Sequence, residues 1–329
     1  MIIFLMSGCG KMALEPVAAV CYSPDGKYIL AETSEFDKPG LIVLIEQATG
    51  KTVKKMKGHS LGVLSVDLSK DGKYVLSGSI DKMVKVWDIE KGKELLNLEG
   101  HTDEVAAVKF SPDGKTALSC GKDGTIRMWD LSTGSELLNI NENEEIRTKK
   151  VFNVDFSPDG KLLLSASGGA LRLWDASSGN LVRSFTTDRH HYSESNNWYK
   201  MGACFSPDGN YVVTGVLTRV YMFDLESGEQ VREFTGRKSN ITSVCFSPDG
   251  KYIYAAGPGP IWMWDVETGE KVRQFKEYED LVTIVISASK NGEYLLSGGI
   301  AKLKGEPRIG SIQLWDIYSG DVLNLYETL

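Results

Sequence analysis

Short runs of apolar and polar residues, closed off by turn sequences, recur along the chain. The second unit shows the form. VLSVDL leads to the turn SKDG, then YVLSG, VKVWDI, the turn EKG and ELLNLEG. Runs of Val, Leu, Ile and aromatics bounded by Asp-Gly or Thr-Gly read as strands joined by hairpins. In the commoner turn SPDG, proline presets φ and glycine accepts positive φ, which suits a tight reversal. The pattern predicts four short antiparallel strands per unit.

Two markers give the period. SPDG begins at Ser23, Ser111, Ser157, Ser206 and Ser247, with SKDG at Ser69 and SKNG at Ser289, so the anchors lie 46, 42, 46, 49, 41 and 42 residues apart. An aromatic followed by Asp stands at Trp87, Trp129, Trp174, Phe223, Trp264 and Trp315, and Ile45-Glu46 takes that place in the first unit. Seven units therefore run from about residue 16 to the end. Four-stranded sheets repeating at ~40–45 residues predict an all-β, seven-bladed β-propeller with four antiparallel strands per blade. Each unit holds its own four strands. The expected division is a leader or tether over 1–15 and the propeller over 16–329.

The array resembles the WD40 (Trp-Asp) repeat family, on seven spaced units rather than one dipeptide. That family has Gly-His ahead of the first strand, matched here by Gly58-His59 and Gly100-His101. The resemblance implies two hydrogen-bonded structural sets. These are His59, Ser77, Asp81 and Trp87 in the second unit, and His101, Ser119, Asp123 and Trp129 in the third. Other units lack the full set. The fourth keeps Ser165 and Trp174 with a shorter turn, and Arg237 stands where the sixth would have His. The resemblance also implies a non-enzymatic scaffold that presents peptides or proteins, without a cofactor.

Connection lengths divide the two ends of each sheet. The turn glycine always lies five residues after the aromatic marker, and the small residue of the second strand always lies five after the Asp-Gly or Asn-Gly glycine. From that small residue to the marker takes 14, 10, 10, 9, 9, 9 and 18 residues. From the turn glycine to the next anchor serine takes 19, 19, 23, 27, 19 and 20. In an antiparallel meander the two constant connections share one end and the two variable ones share the other. Length variation is thus confined to one face, and loops on a rigid scaffold are where binding concentrates.

The longest link between units contains TDRHHYSESNNWYK, from Thr187 to Lys200. Arg189, His190, His191, Tyr192 and Trp198, together with Arg237, are the candidate partner-binding residues. Aromatics and Arg dominate interface hot spots. The alternative for Trp198 and Tyr199 is that they begin a first strand and pack inward. A metal-dependent propeller hydrolase or lactonase would need convergent ligands. Only His190 and His191 are free for that role, and adjacent side chains do not easily bind one ion. No Gly-x-Ser-x-Gly, phosphate loop or paired zinc motif occurs.

Composition narrows the partners. The 329 residues are 42% hydrophobic with a net charge of −7, and no long basic run is present, which disfavours nucleic acid. No apolar stretch reaches the ~18 residues of a spanning helix. The opening MIIFLMSGCGK resembles the end of a bacterial lipoprotein signal, with Cys9 as the acylated cysteine. It points to a bacterial, membrane-tethered envelope protein if a leader lies upstream, and to a cytoplasmic one otherwise. It has no basic leader, and its apolar run is shorter than the ~7–15 residues of a signal core. Cys21, Cys204 and Cys245 occupy the same place in different units, too far apart to pair, and read as buried free thiols. Free thiols lean towards a reducing compartment, against the tether. The expected partner is a protein or peptide, bound by a monomer within a larger complex.

Overall fold

Each Ser-x-Asp/Asn-Gly turn reverses the chain through a glycine with φ between 71° and 75°, and each later turn through one with φ between 64° and 82°. Only a residue without Cβ adopts that conformation cheaply, so both constant connections are set by local chemistry. The serine adds a clamp. Ser23 Oγ donates to Asp25 at 2.6 Å and accepts the Tyr28 N–H at 2.9 Å, and the same pair of bonds recurs at Ser69, Ser111, Ser157, Ser206, Ser247 and Ser289.

The computed structural model describes residues 17–32, 38–142, 150–167, 170–186, 202–275, 282–302 and 308–327. Among them, 28 strands form seven antiparallel sheets, four at a time in chain order. Blade 1 runs from Val20 to Lys57, blade 2 from Val63 to Leu98, blade 3 from Val105 to Asn141 and blade 4 from Val151 to Thr186. Blade 5 runs from Ala203 to Phe234, blade 6 from Ser243 to Phe275 and blade 7 from Val282 to Glu327. The fold is the seven-bladed β-propeller that the repeat predicts, and among the described residues each blade is built from its own four strands. One insertion takes a different form from a plain connection. In blade 7, β26 (Tyr294–Lys302) and β27 (Arg308–Asp316) stay paired out to Lys302↔Arg308, so part of its extra length lengthens a hairpin.

Apolar packing occurs mainly between blades. The marker of each blade is buried against the blade before it. Trp87 lies among Leu30, Ile42 and Met56, Trp129 among Leu76, Val84 and Val86, and Trp315 among Tyr254, Ile261 and Phe275. The aromatic is thus a wedge across each seam, with a large apolar area to bury. At the seam between blades 7 and 1 the wedge is Ile45, packed with Leu296, Ile312 and Tyr326.

Three further contacts recur at the seams, named here by the two blades they join. First, the turn proline lies over the turn glycine of the next blade: Pro24 over Gly72, Pro112 over Gly160, Pro158 over Gly209, Pro207 over Gly250 and Pro248 over Gly292. Where lysine replaces proline, at Lys70 and Lys290, no atom comes within 4 Å of a Cβ built at Gly114 or Gly26. Second, a cation four residues after the later turn glycine donates to carbonyls of the next blade's turn. Arg183 reaches Ser227 at 2.6 Å, Arg232 reaches Glu267 at 2.8 Å, Arg273 reaches Ser319 at 2.6 Å and Lys54 reaches Glu90 at 2.6 Å. Third, the innermost strands expose backbone N–H groups to the central channel, and acceptors from the preceding blade take them. Asp67 accepts from Phe110 at 2.8 Å, Ser65 from Val108 at 3.1 Å, Asp155 from Phe205 at 3.1 Å and Ser243 from Ile286 at 3.2 Å.

Candidate functional site

In blade 2, His59 Nδ1 lies 2.9 Å from Asp81, His59 Nε2 lies 2.8 Å from Ser77 Oγ, and Trp87 Nε1 donates to Ser77 Oγ at 2.8 Å. Blade 3 repeats this with His101, Asp123, Ser119 and Trp129 at 2.9, 2.8 and 2.8 Å. One assignment of protons satisfies every group: Nδ1–H to the carboxylate, Ser O–H to Nε2, and indole N–H to Ser. Asp81 also accepts from the Ser60 backbone, and Asp123 from the Thr102 backbone. Burial by itself would raise both carboxyls. The histidine hydrogen bond, with the backbone donors, outweighs it and holds both below the usual carboxylate range. Both ring nitrogens are engaged, so neither histidine has a nitrogen left to act as a general base. These sets tie the variable end of a blade to its centre.

The other blades solve the same position differently, and sequence reasoning missed the fourth. There Glu142 is 6% exposed and accepts hydrogen bonds from Ser165 and Ser167, while Arg172 donates to it at 3.2 Å. Trp174 Nε1 donates to Ser165 at 2.9 Å. A signal was present two residues before the marker. Lys85 and Arg127 stand there in blades 2 and 3 and pair with Glu94 and Glu136, each opposite the marker on the fourth strand. In blade 4 the residue opposite the marker Trp174 is Leu181, and Arg172 pairs with Glu142 instead. In blade 5 the marker Phe223 has no side-chain N–H, and the Thr214 hydroxyl donates to the Gly202 carbonyl at 3.2 Å. In blade 7, Trp315 Nε1 donates to Ser297 at 2.9 Å.

Arg237 requires a correction. It was expected at a partner-binding surface, but it is 7% exposed and directed inward, donating to the carbonyls of Ala255 at 3.1 Å, Pro258 at 3.3 Å and Pro260. Ala255 has no hydroxyl to receive a histidine, and a guanidinium in its place caps three backbone acceptors. Nearby, Trp262 stands two residues before its marker, with the Lys271 ammonium 4.5 Å above its ring. Cys9, Arg189, His190, His191, Tyr192 and Trp198 lie outside the described residues.

The central channel holds a cavity of about 470 Å³ walled by the innermost strands. Residues equivalent to one another put Cys21, Asp67, Lys109, Asp155, Cys204 and Cys245 along it. Lys109 Nζ lies 3.4 Å from Asp67, whose carboxylate, against the cost of burial, keeps the ammonium firmly charged. Burial raises the Asp155 carboxyl despite Lys109 and the Phe205 N–H. It also raises the thiols, which are half-buried beside the cavity, Cys245 to about 12. Among the described residues no group of three or more His, Cys, Asp or Glu is placed to hold a metal. No helix among them is long and apolar enough to cross a membrane.

A family model for the WD domain, G-beta repeat, matches residues 50–88, 92–130, 143–175 and 228–265. The chain is 39% identical over 79 residues to the poly(A)+ RNA export protein of Schizosaccharomyces pombe, covering 24% of this chain and 22% of that protein. It is 36% identical over 83 residues to small ribosomal subunit protein RACK1 of Dictyostelium discoideum, covering 23% of this chain and 24% of that one. It is 30% identical over 86 residues to protein groucho of Drosophila melanogaster, covering 25% and 11%. The matches thus span about a quarter or less of each relative. All three relatives are eukaryotic, which lends no support to a bacterial origin. The repeated Trp-Ser-His-Asp sets, the seven sheets of common register and the four matched repeats together identify WD40 repeats built into a seven-bladed β-propeller.

Proposed function

We propose that the protein is a non-enzymatic scaffold that binds a protein or peptide on the face where connection lengths vary. One observation carries the reading. At one end of the blades all fourteen connections are constant in length and locked by turn glycines, while at the other the lengths differ by up to nine residues. Neutral drift in the loops that no turn glycine locks is the competing account, and the capture experiment below separates the two. RACK1, by its name, is a component of a ribosomal subunit, which agrees with a part in a larger assembly. The closed state of the two His-Asp sets speaks against catalysis by them. The link at 187–200, with Arg189, His190, His191, Tyr192 and Trp198, is the proposed contact segment.

The test is quantitative affinity capture with three proteins. These are wild type, His191→Ala with Trp198→Ala, and a constant-face control, Lys115→Glu with Lys161→Glu. Specific partners are expected to be lost from the loop variant and kept by the control. Loss from the control alone would move the surface to the other face. The opening MIIFLMSGCGK favours an addition to this reading, a lipid tether at Cys9. Cys9→Ser is expected to release the full-length protein from membranes, and equal membrane retention in both would remove the tether.

A further inference from the structure

We propose that the ring parts at the seam between blades 7 and 1, and that this seam is the device by which the propeller opens. Every other seam carries at least one of the three recurrent contacts. The 1–2 seam has Pro24 and Lys54, and the 2–3 seam has the Ser65 and Asp67 acceptors. The 3–4 seam has Pro112, and the 4–5, 5–6 and 6–7 seams each have both a proline and an arginine. Among the described residues the 7–1 seam has none of them. Lys290 replaces the proline, leaving the space over Gly26 open. Asn324 replaces the cation, and its side chain accepts from the Leu325 backbone instead. Ser287 stands at the channel position and makes no bond to blade 1.

What holds the seam is an apolar cluster of ten buried residues, among them Val17, Val20, Leu296 and Ile312, with two hydrogen bonds of its own. Ile45 is the only non-aromatic wedge. The Tyr326 hydroxyl donates to the Gln47 carbonyl at 2.8 Å, and the Val17 N–H donates to the Gly299 carbonyl at 3.2 Å. A cavity of about 590 Å³ lies along the seam, lined by Asp25, Tyr28, Gln47, Tyr294, Leu314 and Leu323. A second, of about 300 Å³, adjoins it beneath Lys290. Chain connectivity points the same way. Each of the other six seams is crossed by a covalent link, so parting it gains little freedom. The 7–1 seam joins residues far apart in sequence, and its parting releases the two ends of the array. Proteins open in sub-global units at lower free energy than the whole fold, and here the missing recurrent contacts and the free array ends distinguish this seam.

Two equivalent buried alanines give a matched reporter. Ala31 is 0% exposed in the 7–1 cluster, and Ala255 is 0% exposed at the 5–6 seam. Ala31→Cys and Ala255→Cys are alkylated under native conditions, and modification of each site is followed by peptide mass. Ala31→Cys is expected to react at least about tenfold faster. Adding Tyr326→Phe should accelerate it about fivefold, the equilibrium worth of one net hydrogen bond. Adding Lys290→Pro with Asn324→Arg should slow it. Lys70→Pro, at the 2–3 seam, should leave it unchanged. Equal rates for the two reporters overturn the proposal. So does a rate at Ala31→Cys that ignores Tyr326→Phe in a protein of unchanged near-ultraviolet spectrum. A slowing by Lys70→Pro as large as that from Lys290→Pro would assign the reactivity to global unfolding and overturn it too.

Discussion

Glu142 stands against Ser165 where His59 stands against Ser77 and His101 against Ser119. The serine keeps its role as acceptor of the indole N–H, and the group behind it changes from imidazole to carboxylate. That change brings a charge into the blade, and Arg172 balances it. Glu142→Ala removes the balance and leaves a buried guanidinium. A loss of about 3–5 kcal/mol is expected from the chemical denaturation midpoint. Glu142→Leu combined with Arg172→Leu should cost less than Glu142→Ala alone.

Ser119 is the hub of the blade 3 set. Ser119→Ala leaves the Trp129 N–H and one His101 nitrogen without a partner in a site that is 0% exposed at the serine. A destabilisation of about 1–3 kcal/mol is expected by the same measurement. Thr214→Ala in blade 5 should cost less, because Phe223 has no side-chain N–H to strand.

Acid stability follows from Asp81 and Asp123. Their folded-state carboxyls are held below the unfolded value, so the folded protein binds fewer protons. Their contribution is therefore complete above the ordinary carboxylate range and is lost as pH falls through it towards the depressed folded values. Asp155 has the opposite sign. Its folded value is raised, so its ionisation weakens the fold as pH rises from the ordinary carboxylate range through that value. Urea titrations at stepped pH from 7 to 3 should show a shallower acid limb for Asp123→Asn and a steeper one for Asp155→Asn. The reverse order would contradict both assignments.

Lysine at position 70 occupies a turn that five other units build with proline, and the next glycine, Gly114, has open space above it. Lys70→Pro fits without strain, and should stabilise by about 0.4–1 kcal/mol through loss of unfolded-state freedom. A shift in thermal midpoint of the opposite sign would show that the turn is not equivalent.

Partial burial beside the channel raises the Cys204 and Cys245 thiols. Cys204 and Cys245 should resist alkylation near neutral pH in the folded protein and react on denaturation. Rapid native modification followed by mass would show that the channel admits the reagent and ionises the thiols.

Much of the architecture was legible before any coordinates. Turn glycines, the Trp-Asp markers and the five-residue offsets are local, and local chemistry repeats faithfully enough to count blades. The two full sets were legible because their four members recur at the same offsets. Glu142 was not, because it acts through Arg172, whose usual partner on the fourth strand is replaced by Leu181. Arg237 was misread as a surface residue. It takes the place of the sixth unit's histidine, and the three backbone carbonyls around it are brought together only by the fold.

By itself, the sequence determined seven units, four strands in each, and the division into a constant and a variable face. These follow from backbone preferences within about forty residues. Only the tertiary structure decided how neighbouring blades hold one another. Pro24 over Gly72, Arg273 on Ser319 and Asp67 on Phe110 join residues about forty to fifty positions apart. Tyr326 on Gln47 spans 279 positions. No local pattern encodes such pairs, because each depends on where the closed ring brings two surfaces together.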